Sequence, residues 1–248
     1  MSELKILVTG CKGRMGQTVT ECANQDADTV AEVGIDMGDS LEDAIVKCDA
    51  IIDFTLPTFT RELVESALKH GKILVMGTTG HDDDLLKLID EASKEIPIVH
   101  APNFSVGVNT LFWLTRKTTE ILGKDFDLEV VEMHHRHKKD SPSGTARRLA
   151  EILAEARELS YDDDCRHGRF GDVGARTSDE IGVHAVRGGD VVGDHTVIYA
   201  ADGERIELTH KASSRYTFAS GAVRAAKWVK SEGHRNGLFD MQDVLGLK

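Results

Sequence analysis

The sequence predicts an α/β protein in which a doubly wound parallel sheet comes first and an α+β segment with an open, mixed sheet follows. Two observations carry this. Through the first hundred residues, short apolar runs alternate with longer amphipathic ones. Beyond Asn103 the strand-like runs bunch together, separated by glycine-containing turns. Strands that are apolar along their whole length and alternate with helices belong to a buried parallel sheet, whereas bunched strands with tight turns favour antiparallel or mixed pairing.

In the first part, residues 4–9, 30–36, 50–54, 73–76 and 96–101 read as strands, and residues 14–23, 58–70 and 82–95 as helices. Met15, Val19 and Cys22/Ala23 recur at helical spacing, as do Leu85, Leu88, Ile89 and Ala92. In the second part, residues 106–122 and 144–158 read as helices, the latter with Leu149, Ile152, Leu153 and Ala156 on one side. Residues 128–134 form a strand, and 160–180, rich in Asp, Gly and Arg, an irregular loop. Strands at 181–187, 191–200 and 204–212 follow, joined by Gly188-Gly189-Asp190 and Ala201-Asp202-Gly203 turns. A helix over 218–231 is expected to end the regular structure, and pattern alone assigns it to neither part. No internal repeat or low-complexity tract is present.

The chain has 248 residues, enough for two modest cores without staples. Its 42 acidic against 30 basic residues give a net charge of −12, which repels nucleic acid and anionic membranes at long range. An anionic substrate would be repelled too, unless a local basic cluster reverses the sign. Cys11, Cys22, Cys48 and Cys165 show no C-x-x-C spacing, so neither a zinc ribbon nor a disulfide framework is expected. No signal peptide or membrane-length apolar run is visible, and the expectation is a soluble, cytoplasmic protein.

Gly10-Cys11-Lys12-Gly13-Arg14-Met15-Gly16 follows the first strand and opens the first helix. The glycines allow a tight turn and close backbone approach to a pyrophosphate, and the helix amino terminus supplies N–H groups and a positive dipole end. Glycines in a turn also have a purely conformational use. Asp36, at the end of the second strand and 20 residues after Gly16, improves the case: a carboxylate there accepts hydrogen bonds from adenosine ribose hydroxyls. Gly77-Thr78-Thr79-Gly80 and Ala101-Pro102-Asn103-Phe104 follow later strands, where open α/β sheets bind ligands, and could hold a nicotinamide. The reading is a Rossmann-like dinucleotide domain.

The run His134-His135-Arg136-His137-Lys138-Lys139 stands out in an acidic protein. A metal site is not expected, because the neighbouring cations oppose one and only Asp140 is at hand as a carboxylate. A solvated basic edge is the plain alternative. The helix start at Pro142-Ser143-Gly144-Thr145 argues for more, since its backbone N–H groups favour a carboxylate. Together these describe a pocket for a small polyanion, with His134 or Lys138 as proton donor to an imine being reduced.

At these residues the chain resembles the 4-hydroxy-tetrahydrodipicolinate (dihydrodipicolinate) reductase family. Matching stretches are Val8 to Gly16, Asp53-Phe54-Thr55, Gly77 to Gly80, Asn103 to Asn109, Glu132 to Ala146 and Thr209 to Arg224. The glycine turn is widely shared; the stretch from His134 to Ala146 is specific. The resemblance implies reduction of a small cyclic dicarboxylate in lysine biosynthesis by way of diaminopimelate, with NADH or NADPH. It implies His134 as acid/base and Lys138 as proton donor, with His135, Gly144 and Thr145 binding substrate. Cofactor contacts would come from Gly10, Cys11, Lys12, Gly13, Arg14, Met15, Asp36, Gly77, Thr78, Thr79, Ala101, Pro102, Asn103 and Phe104. It further implies a nucleotide domain of residues 1–105 and 216–248, a substrate domain of residues 106–215, and a homotetramer. Met37 stands where some relatives carry an arginine for the NADP 2′-phosphate, which leans the expectation toward NADH. The alternatives are an aspartate or homoserine dehydrogenase-like reductase and a non-catalytic dinucleotide sensor.

Overall fold

The computed structural model describes residues 3–233 and 235–247. The chain forms two compact units, Met1–Val106 with Arg215–Lys248, and Gly107–Ser214.

The first unit begins with β1 (Leu4–Thr9), α1 (Arg14–Gln25), β2 (Thr29–Ile35), α2 (Leu41–Ile45) and β3 (Ala50–Asp53). It continues with α3 (Pro57–Lys69), β4 (Ile73–Met76), α4 (Asp83–Ser93) and β5 (Pro97–His100). Every residue of β3 and β4 is buried, as the unbroken apolar runs require when helices cover both faces. Alternation along β1 divides the core. Leu4, Ile6 and Val8 pack with Val19, Cys22 and Ala23 of α1, while Leu7 faces Leu63 and Val64 of α3 and Ile89 of α4. Each fully buried Leu or Ile contributes about 1.5–3 kcal/mol.

The second unit holds α5 (Val106–Leu122), β6 (Asp127–His134), α6 (Gly144–Arg157), α7 (Tyr161–Asp164), β7 (Cys165–His167), β8 (Ile181–Arg187), β9 (Gly193–Ala201) and β10 (Glu204–Ala212). Its sheet runs β10-β9-β6-β8-β7, with β6 parallel to β8 and antiparallel to β9. The mixed pairing expected from the bunched strands is therefore present. On its covered face, Leu128, Val130, Val183, Val197 and Tyr199 pack against Leu111 and Phe112 of α5 and Leu149, Ile152 and Leu153 of α6. The Tyr199 hydroxyl donates to the Thr115 carbonyl at 2.9 Å, so the buried phenol is satisfied.

The chain then returns to the first unit through α8 (Tyr216–Ser231), β11 (Gly237–Phe239) and α9 (Met241–Leu245). Ala219, Ala222, Val223 and Ala226 of α8 join the core of the parallel sheet. A Cβ on Gly221 would lie 1.8 Å from the Phe104 carbonyl oxygen, so the helix and that loop touch through backbone. The complete sheet order is β11-β5-β4-β3-β1-β2.

Three expectations need correction. Regular structure does not end at Ser231: β11 pairs in parallel with β5, and α9 is held by a capping box between Asp240 and Asp243. The 160–180 segment is not wholly irregular. Ser160 accepts a hydrogen bond from the Asp163 N–H and caps α7, whose aspartates suit a helix amino terminus, and β7 adds an edge strand. The short helix α2, capped by Ser40, was not anticipated. All are too short to show a hydrophobic period. Among the described residues no helix is long and apolar enough to cross a membrane.

Candidate active site

In the first unit β1 through β5 are parallel neighbours, so the segments after their carboxyl ends share one rim. The chain passes from β1 to β2 on one side and then to β3 on the other, which makes the β1 end a switch point of the kind that binds nucleotides.

The glycine turn is built for close approach. Gly10 has φ +61°, a conformation that favours glycine, and its carbonyl accepts from the Gly13 N–H at 2.9 Å. A Cβ on Gly16 would lie 2.1 Å from the Gly10 oxygen, and one on Gly34 2.8 Å from Cys11 Cβ. The cradle thus excludes side chains where a pyrophosphate would meet the start of α1, and the residues present fit a dinucleotide. Asp36 is half-buried and accepts from the Met37 N–H at 2.8 Å and the Lys12 N–H at 2.9 Å. Those two bonds hold its carboxyl below the usual carboxylate range and tie the β2 end to the turn. Met37 is 95% exposed and brings no positive charge there.

Asp53, at the end of β3, is the hub of this rim. It is fully buried, and its carboxylate accepts from the hydroxyls of Thr9 at 2.6 Å, Thr55 at 2.6 Å and Thr78 at 2.5 Å. The Thr78 hydroxyl in turn accepts from the Thr55 N–H at 2.9 Å. Three strand ends are therefore fastened to one carboxylate. Gly77 lies against the Phe54 ring, where a Cβ would come within 2.1 Å of Cε1. Phe54 meets Phe104 edge-on at 5.7 Å. Phe104 is fully buried in the core, and its carbonyl packs against Gly221 of α8. Ala101 is buried, Asn103 half-buried and Pro102 and Thr79 exposed.

In the second unit the basic run leaves the end of β6. His134 is 7% exposed, and its Nδ1 lies 2.6 Å from Glu132 Oε2. Glu132 is fully buried and is gripped by both terminal nitrogens of Arg187, each at 2.8 Å. Its Oε1 also accepts from the Ser143 N–H at 3.1 Å. Burial works against its ionisation, but Arg187, His134 and the Ser143 N–H outweigh that and hold the carboxyl below its ordinary range. Burial lowers the His134 pKa and nearby Lys138 and Arg187 act the same way; Glu132 opposes them without reversing the shift.

Lys138 Nζ pairs with Asp140 at 2.9 Å. His135 is half-buried, and its Nδ1 is buried without a hydrogen-bond partner. Ser143 caps α6, its hydroxyl accepting from the Ala146 N–H at 3.3 Å and meeting His195 Nε2 at 3.1 Å. The Gly144 N–H lies in the first turn, where a helix offers no acceptor of its own. Thr145 is half-buried beside it. The His195 ring stands edge-on to His134 at 5.1 Å and is pushed down to about 3, chiefly by burial, so it stays neutral. The structure therefore gathers His134 and the start of α6 around one buried carboxylate, with Lys138, paired to Asp140, near enough to His134 to act on its charge. Arg136, His137 and Lys139 point to solvent. Among the described residues no group of three or more His, Cys, Asp or Glu is placed to hold a metal ion.

Sequence reading missed Glu132, Arg187 and His195 as site residues. Glu132 could have been found, since strand period puts it on the same face as His134. Arg187 pairs with His134 across β6 and β8, a register the sequence alone does not display.

The chain is similar to known proteins over nearly its whole length. Residues 4–104 match the family model described as "Dihydrodipicolinate reductase, N-terminus", and residues 107–245 the one described as "Dihydrodipicolinate reductase, C-terminus". A 4-hydroxy-tetrahydrodipicolinate reductase of Akkermansia muciniphila is 57% identical over 244 residues, covering 98% of both chains. One of Hahella chejuensis is 47% identical, covering 98% of this chain and 99% of its own. The solved, dipicolinate-bound dihydrodipicolinate reductase of Paenisporosarcina sp. TG-14 has the same fold, with a TM-score of 0.78, 24% identity and coverage of 97% and 98%. With both halves matched and identity this high over the full length, the chain belongs to the dihydrodipicolinate reductase family.

Proposed function

We propose that the chain reduces 4-hydroxy-tetrahydrodipicolinate to tetrahydrodipicolinate with NADH or NADPH, within lysine synthesis by way of diaminopimelate. The observation that carries this is the meeting of a buried imidazole, an ammonium group and a helix amino terminus in a chain matched end to end by that family. The bound nicotinamide supplies hydride. Gly10 to Met15 and Asp36 would hold its pyrophosphate and adenosine ribose, and Gly77 to Thr79 with Ala101 to Phe104 would position the nicotinamide.

His134 and Lys138 act as acids, and His135 and the first-turn N–H groups at Gly144 and Thr145 hold substrate carboxylate. This cationic pocket overcomes the repulsion that a −12 chain exerts on a small dicarboxylate. NADH is used at least as well as NADPH, because Asp36 lacks a basic neighbour at Met37. A homotetramer working in the cytoplasm completes the reading. The rival dehydrogenase and sensor readings give the His134–Ala146 stretch no use. The test is reduced-cofactor oxidation by the purified protein in the presence of substrate freshly generated by the preceding synthase. Steady oxidation that depends on the synthase product is expected, and none above background would refute the reading.

A further inference from the structure

We propose that Glu132, clamped by Arg187, is the positioning residue of this site, setting which nitrogen His134 presents and anchoring the start of α6 with the same carboxylate. The proposal rests on the reduction reading above and deepens it.

The argument begins with burial. Glu132 is fully shielded, and a lone carboxylate there would be strongly disfavoured. The Arg187 fork satisfies it with two parallel bonds of 2.8 Å and keeps it ionised. An ionised carboxylate only accepts, so the 2.6 Å contact requires the proton on His134 Nδ1. Nε2 is then the nitrogen left to exchange a proton with substrate. Gly193 keeps that side of the ring clear, since a Cβ there would lie 2.9 Å from Nε2.

The other half of the argument is the bond from the Ser143 N–H to Glu132 Oε1. Ser143 is the cap of α6, whose first turn is the carboxylate-binding element of the proposed function. One side chain thereby fixes the distance between the proton donor and the anion site. Misplacement by about 1 Å costs catalysis on the order of a hundredfold. The charged and titratable groups facing His134 are Glu132 on its own strand, Arg187 from β8, His195 from β9, and Lys138, itself paired with Asp140, from the following loop. Glu132 alone among them favours the imidazolium, so its loss lowers the His134 pKa further.

The experiment reads His134 directly, by nitrogen-15 NMR of the full-length protein labelled at histidine, and then compares pH profiles. In the wild type, neutral His134 is expected as the Nδ1–H tautomer. Glu132→Gln is expected to lower kcat at neutral pH at least about tenfold and to move the basic limb of its pH profile to lower pH. Cofactor Kd should stay within about twofold. Arg187→Lys, which keeps the charge but loses the fork, should fall between the two. An Nε2–H tautomer in the wild type, or wild-type pH profiles in both variants, overturns the proposal. Should Glu132→Gln not fold, the wild-type tautomer and the Arg187→Lys profile decide. A wild type that binds cofactor and reduces nothing would refute the reduction reading instead, and the tautomer would still judge the positioning role.

Discussion

Substituting Gly144 by alanine separates a structural glycine from one that leaves room for ligand. A Cβ at this position meets nothing within 4 Å, and its φ is not in the left-handed region. Gly144 is also the first residue of α6, where alanine is at least as good a helix former. Stability should change by no more than about 0.5 kcal/mol, which in a chain of this size is about 2 °C in Tm or less. Substrate binding should respond differently. A methyl group in front of the first-turn N–H groups displaces a carboxylate from a charge-assisted hydrogen bond contributing about 1.5–3 kcal/mol, or roughly 10- to 100-fold in KM. Initial rates at saturating cofactor, with thermal unfolding in parallel, give both quantities. A KM within about twofold of wild type, with Tm unchanged, would refute carboxylate binding at this helix start.

Further outcomes follow from the same geometry. His134→Gln and Lys138→Ala should each lower kcat sharply with little change in cofactor Kd, whereas His135→Ala should mainly raise KM; stopped-time turnover and cofactor titration separate these cases. Gly16→Ala should weaken cofactor binding, because its Cβ at 2.1 Å from the Gly10 oxygen forces the turn and α1 apart. The overpacking costs about 1–3 kcal/mol, and titration calorimetry with NADH reads the affinity. The kcat/KM for NADH should equal or exceed that for NADPH, and a strong NADPH preference would contradict the role given to Asp36 and Met37.

Acid should loosen the second unit through Glu129. Burial raises its pKa, but Arg169, His184 and Arg176 overcome that and bring it down to about 2, from 4.5. A depressed folded pKa means the stabilisation is complete above the unfolded value and is lost as pH falls from about 4.5 toward 2. Urea unfolding across that window should show a smaller pH dependence for Glu129→Gln than for the wild type.

Much of the fold was legible because long elements repeat their pattern. The buried runs of β3 and β4 and the Leu149–Ile152–Leu153 face of α6 are what a parallel sheet and an amphipathic helix demand. The elements that escaped, α2, α7, β7, β11 and α9, have three to five residues each, less than two turns or one strand period pair. For the site, the glycine turn and the basic run carry local signals. The Asp53 hub and the Arg187–Glu132 pair do not, since each joins residues whose proximity depends on which strands become neighbours. Phe104 illustrates the converse: its motif was visible, but the residue is buried in the core against Gly221 of α8.

The most direct test of the reductive role uses NADH carrying deuterium at the transferable C4 position, mixed with the protein and the freshly made hydroxy-dicarboxylate, with the product analysed by mass spectrometry. One deuterium per molecule of tetrahydrodipicolinate is expected from the wild type, and almost none from His134→Gln over the same interval. Unlabelled product, or cofactor bound without any label leaving it, would contradict the account.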